Sequence, residues 1–142
     1  MKNKLMILGI VAMVVLFVGA CSAALGNPKQ TIVQISYDQI QQSKTVTREI
    51  TVDKGTKIIL ELPSNPSTGY SWSKASIVDT GIIVQNESKY VGPEQPIPGA
   101  GGTQVWTFTA SEKGTTTIKM EYTRPWETGV VEWTYQITVT VQ

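Results

Sequence analysis

The chain has 142 residues, 41% apolar and 16% charged, enough for one domain with a buried core. Twelve basic and eleven acidic residues leave a net charge of +1, which gives no electrostatic footprint for nucleic acid or an acidic membrane surface. There is no histidine, the commonest general base and metal ligand, and only one cysteine, so no intrachain disulfide can form.

The N-terminus reads as a targeting segment. Lys2 and Lys4 give a short basic start, and Leu5 to Ala20 follow without a charge. Val18, Gly19 and Ala20 then place small residues directly before Cys21. Residues 1–20 read as a secretory signal. They also resemble a bacterial or archaeal lipoprotein signal, in which the cysteine is lipidated and becomes the first mature residue. The alternative is an uncleaved anchor, although sixteen apolar residues fall short of the ~20 that a spanning helix needs. Either way the domain is expected outside the cytoplasm, held to a membrane by its N-terminus. Cleavage leaves ten basic and eleven acidic residues and a net charge of −1. Residues 21–30 form a small, polar tether, and the domain is expected over 31–142.

From Thr31 the pattern is one of short strands. Val33, Ile35 and Tyr37 alternate with polar residues, as do Ile58, Leu60 and Leu62, and later Ile118, Met120 and Tyr122. The last segment is the clearest: Val131, Trp133, Tyr135, Ile137, Val139 and Val141 share one face, and Glu132, Thr134, Gln136, Thr138 and Thr140 the other. Weaker strands are expected at Thr45 to Val52, Ile82 to Gln85 and Val105 to Ala110. No stretch sustains a helical period. Gly and Pro clusters punctuate the runs. The expectation is all-β: an antiparallel β-sandwich of seven or eight strands, immunoglobulin-like in layout, without the paired cysteines of antibody domains.

Three inter-strand loops carry more than turn chemistry. In Asn65-Pro66-Ser67-Thr68-Gly69-Tyr70, Pro66 fixes its own φ and holds Asn65 extended, while Gly69 permits a left-handed backbone. The tip side chains, Ser67 and Thr68, are small. In Pro93 to Trp106, Gly99, Gly101 and Gly102 strip side chains from a long stretch. In Arg124 to Gly129, Trp126 follows Pro125 at a loop tip, with few ways to bury itself. Each has a bland reading alone: an ordinary turn, a flexible connection, a tryptophan folded onto a sheet edge. Asn65-Pro66-Ser67 fails as a glycosylation acceptor because of the proline, whereas Asn86-Glu87-Ser88 passes.

Taken together, "NPSTGY", "GAGG" and "RPW" in this order and spacing resemble the chagasin family, protein inhibitors of papain-like cysteine peptidases. The resemblance runs from Leu60 to Trp126 and more weakly to the C-terminus. It implies an immunoglobulin-like sandwich whose three loops cluster at one end and straddle the peptidase cleft. It further implies that Asn65, Pro66, Ser67, Thr68, Gly69 and Tyr70 form the wedge over the catalytic cysteine. Gly99, Gly101 and Gly102 belong to the second loop, and Arg124, Pro125 and Trp126 to the third. The family often has threonine at the place of Ser67, and the stretch after Trp126 is shorter than in some relatives. The physical reading agrees: a small, stiff tip enters a narrow cleft at low entropic cost, and Trp126 supplies an aromatic anchor. The expected partner is a papain-like cysteine peptidase met by a monomer, with no cofactor, metal or nucleic acid. The alternative is a surface lipoprotein module that binds glycan or another protein through Trp126. An enzyme is disfavoured: with no histidine and Cys21 committed to lipid, no Ser-His or Cys-His pair can be built. The carboxylates Glu127 and Glu132 read as solvated.

Overall fold

The computed structural model describes residues 27–142. The expected signal, 1–20, and Cys21 lie outside the described residues. The order is β1 (Gln30–Gln34), α1 (Tyr37–Ser43), β2 (Thr45–Val52), β3 (Lys57–Ser64), a 3₁₀ turn (Pro66–Thr68), β4 (Ser71–Trp72), β5 (Ser76–Ile77), β6 (Ile83–Val91), β7 (Gly102–Ala110), β8 (Gly114–Thr123) and β9 (Val131–Val141). One sheet runs β1-β3-β7-β6; the other runs β2-β9-β8-β4, with β5 also on β8. The expected β-sandwich is thus present, with nine strands among the described residues, two of them only two residues long.

Alternation builds the core. Ile58, Leu60 and Leu62 of β3 are buried, as are Ile118, Met120 and Tyr122 of β8 and Trp133 to Val141 at every second position of β9. Burial of each large apolar side chain contributes roughly 1.5–3 kcal/mol, which removes any need for a disulfide. Val131 breaks the pattern: it is exposed, because it begins β9 at the open end of the sandwich.

The structure corrects four details. The sandwich is mixed, since β1 pairs with β3 in parallel and β2 pairs with β9 in parallel. The strand expected through Tyr37 stops at Gln34, although Ile35 is still buried in the core. Ser36 caps a helix there: its hydroxyl accepts from the Gln39 N–H, and the Gln39 side chain accepts from the Ser36 N–H. This reciprocal box favours helix over a continued strand. Gln30, assigned to the tether, already pairs with Lys57. The weak strand near Ile82 to Gln85 runs on to Val91, with a bulge between Gln85 and Glu87 that holds Asn86.

Register places the loops. Ser64 of β3 lies opposite Gly102 of β7, and Val91 of β6 opposite Thr103. In the other sheet Ser71 and Val131 both lie opposite Thr123. The connections β3–β4, β6–β7 and β8–β9 therefore leave the sandwich at one end.

Candidate functional site

The first loop is closed on itself. Pro66 opens the 3₁₀ turn and Gly69 ends it at φ +82°. The Thr68 N–H donates to the Asn65 carbonyl at 3.1 Å, and the Gly69 N–H to the Pro66 carbonyl at 3.0 Å. Both tip hydroxyls turn inward: Thr68 Oγ1 donates to the Asn65 carbonyl and Ser67 Oγ to Asn65 Oδ1, each at 2.6 Å. Asn65 then anchors the loop outward. Its N–H donates to Tyr122 Oη at 2.8 Å, and its Nδ2 donates to the Gly99 carbonyl at 2.9 Å. The first bond ties the wedge to β8, and the second ties it to the second loop.

The third loop closes from the other side. Arg124 Nε donates to the Thr68 carbonyl at 3.3 Å, and Nη1 donates to Glu127 Oε1 at 3.0 Å. The guanidinium also lies 4.3 Å from the centroid of the Tyr70 ring. The Glu127 hydrogen bond, above all, raises the Arg124 pKa further, so it stays a cation throughout. The six-membered ring of Trp126 covers the Gly69 α-carbon so closely that a Cβ there would overlap it. Trp126 nevertheless remains 68% exposed, a flat aromatic surface with its back on the wedge. Glu127 and Glu132, the carboxylates singled out in the sequence, both pair with cations: Glu127 with Arg124, Glu132 with Lys44.

Some residues take other work than the sequence suggests. Tyr70 stacks on Tyr122 at 5.4 Å and 17°, beneath Arg124, so it buttresses the wedge from behind. Gly102 is the first residue of β7, so the second loop is only 92–101. A Cβ on Gly102 would strike the Val91 carbonyl and the Tyr90 ring; one on Gly101 would crowd the Ser64 carbonyl at 3.2 Å and Asn65 Cβ at 3.3 Å. These two glycines let the chain approach itself closely. Gly99, at φ +82° with open space around it, is the one that leaves backbone exposed. Pro125 joins Arg124 to Trp126 and sets the turn between them. Sequence reasoning missed Tyr122 as the tie to Asn65, because its place in an alternating strand marks it only as core. It also missed Tyr37, which borders this end from α1. The spacing Ser36-x-x-Gln39 was the available signal.

The comparisons bear on the same segment. A model of the Chagasin family peptidase inhibitor I42 matches residues 51–141. Chagasin of Trypanosoma cruzi is 37% identical over 82 residues, which are 54% of this chain and 73% of that one. The crystal structure of the cysteine protease inhibitor EhICP2 from Entamoeba histolytica superposes with a TM-score of 0.60 at 24% identity, over 82% of this chain and 100% of its own. PbICP-C, solved in complex with falcipain-2, gives a TM-score of 0.60 at 19% identity, over 80% and 99%. These two structures share the fold; the family match supplies the kinship, and its span takes in all three loops. The chain belongs to the chagasin family of peptidase inhibitors.

Proposed function

We propose that this chain is a reversible inhibitor of papain-like cysteine peptidases that seats its three-loop end over the active-site cleft. The observation that carries this is the mutual locking of the loops: Asn65 to Gly99, Arg124 to Thr68, and Trp126 on Gly69. A segment fixed this way loses little entropy on binding. Its self-closed 3₁₀ turn also differs from the extended backbone of a cleavable substrate, so Asn65 to Tyr70 blocks the cleft without being cut. Trp126 and the backbone at Gly99 flank it and meet the rims of the cleft. Binding and release involve no covalent step.

The test is titration of papain with the full chain in detergent. Activity falls with increasing inhibitor and returns on dilution, while a trypsin-like peptidase and a metallopeptidase are unaffected. Trp126→Ala weakens inhibition about thirtyfold or more, the effect of removing an aromatic anchor worth ~2 kcal/mol. Full papain activity in excess inhibitor contradicts the proposal.

We also propose that residues 1–20 are removed and that Cys21 carries lipid, which holds the domain outside the cytoplasm at a bacterial or archaeal membrane. The lone cysteine at the end of the apolar run supports this. Cys21→Ala is expected to block processing or move the protein out of the membrane fraction. Lipid-free mature protein in the wild type would contradict it.

A further inference from the structure

A fourth connection reaches the loop-bearing end. β1 runs parallel to β3, so Gln34, opposite Glu61, approaches the end marked by Ser64. β2 runs parallel to β9 and starts at Thr45 opposite Thr134, at that same end. α1 therefore crosses from one sheet to the other beside the wedge. It is held firmly. Its N-terminus has the Ser36–Gln39 box, and Ile40 is fully buried. At its C-terminus the Thr134 N–H donates to the Lys44 carbonyl at 2.8 Å, and Lys44 pairs with Glu132.

One exposed side of this helix, Tyr37 and Gln41, borders the site. The Tyr37 ring meets Trp133 edge-on at 5.6 Å; Trp133 stacks on Tyr122 at 4.6 Å, and Tyr122 on Tyr70 beneath Arg124. Tyr37 is thus the outer ring of the stack that supports the wedge, and it stays half exposed. Gln41, one turn on, shares its face and is exposed. Two depressions flank Asn65, and Tyr37 borders both. One, about 340 Å³, lies between Tyr37, Pro63 and Gly101; the other, about 250 Å³, between Tyr37, Gln41 and Arg124. α1 lies outside the family match, which begins at residue 51.

We infer that α1 is a fourth peptidase-contact element, with Tyr37 and Gln41 determining which papain-like peptidases the chain inhibits. This rests on the inhibitor reading above. A cleft that accepts Asn65 to Tyr70 brings one rim against whatever flanks that loop, and α1 is joined to it through the aromatic stack and borders the same two depressions as Asn65. A low rim gains contact with the Tyr37 ring and can place a side chain into a neighbouring depression. A high rim strikes the ring. The three loops supply the common affinity, and α1 sorts the targets.

The experiment measures inhibition constants of the full chain, Tyr37→Ala and Gln41→Arg in detergent. The targets are papain and two other papain-like peptidases whose cleft rims differ in sequence. Tyr37→Ala is expected to weaken inhibition of at least one enzyme about tenfold and to change the ratio between enzymes about fivefold or more. Gln41→Arg, at an exposed position, is expected to shift at least one constant about threefold or more at an unchanged urea midpoint. Constants within twofold of wild type for both variants on every enzyme would overturn the inference. So would a uniform loss for Tyr37→Ala with Gln41→Arg silent, since the helix would then only prop the wedge. A wild-type chain that inhibits none of the three refutes the inhibitor reading itself, and this inference falls with it.

Discussion

Gly69 is held by two separate constraints. Its φ of +82° is a conformation that an L side chain adopts at a cost of roughly 1–2 kcal/mol, and its missing Cβ leaves the space that the Trp126 ring fills. Gly69→Ala is therefore expected to lose about 1–2 kcal/mol of stability and, by pushing Trp126 off the wedge, to weaken papain inhibition at least tenfold. Gly55 separates the two effects. It has φ +87° with nothing nearby, in the β2–β3 connection at the far end of the sandwich. Gly55→Ala should cost similar stability and leave inhibition unchanged. Urea midpoints and inhibition constants for the two variants check both statements; equal inhibition by both would count against the Trp126 contact. The special backbone at Pro66 and Gly69 was legible because those residue types have few other uses. The bonds of Asn65 to Gly99 and Tyr122 were not, since they join positions 34 and 57 apart in the chain.

Among the strands, β9 was the most legible, because eleven residues give the two-residue period room to repeat. β4 and β5 are too short to show any period, and α1 buries only Ile40, so no helical stripe appears. What the pattern conceals is the state of polar atoms on the inner face. The Tyr135 hydroxyl of β9 is buried without a hydrogen-bond partner. Burial pushes its ionisation well above the ordinary tyrosine value, offset in part by nearby Arg48. In the unfolded chain this tyrosine loses its proton from about pH 10, while the folded chain keeps it. The unfolded state then binds fewer protons, so stability falls as pH rises through 10. Tyr135→Phe should reduce that alkaline loss. It should not lower stability at pH 7, because the hydroxyl makes no bond that the substitution would break. Urea midpoints at pH 7 and above pH 10 test this; a clear loss at pH 7 would mean that the hydroxyl has a partner.

At the scale of the molecule, alternation and turn residues were enough for the sandwich, while the clustering of the three loops came only from the family resemblance that their motifs carry. The parallel pairings, and with them the arrival of α1 at the site, depend on register between distant strands, which no local pattern records. The chain has no histidine, the side chain whose ordinary ionisation lies between pH 5 and 8. Stability is accordingly expected to be level from pH 5.5 to 8, and any pH dependence of inhibition in that window should follow the peptidase. The proposed docking of the three-loop end over the catalytic cysteine is tested most directly by alkylation of that cysteine in papain. With the full chain in excess, the rate of iodoacetamide labelling should fall in proportion to the enzyme bound, recover on dilution, and leave Asn65 to Tyr70 uncut by mass spectrometry. Labelling at the free-enzyme rate in a complex shown to be formed, or cleavage within Asn65 to Tyr70, would contradict it.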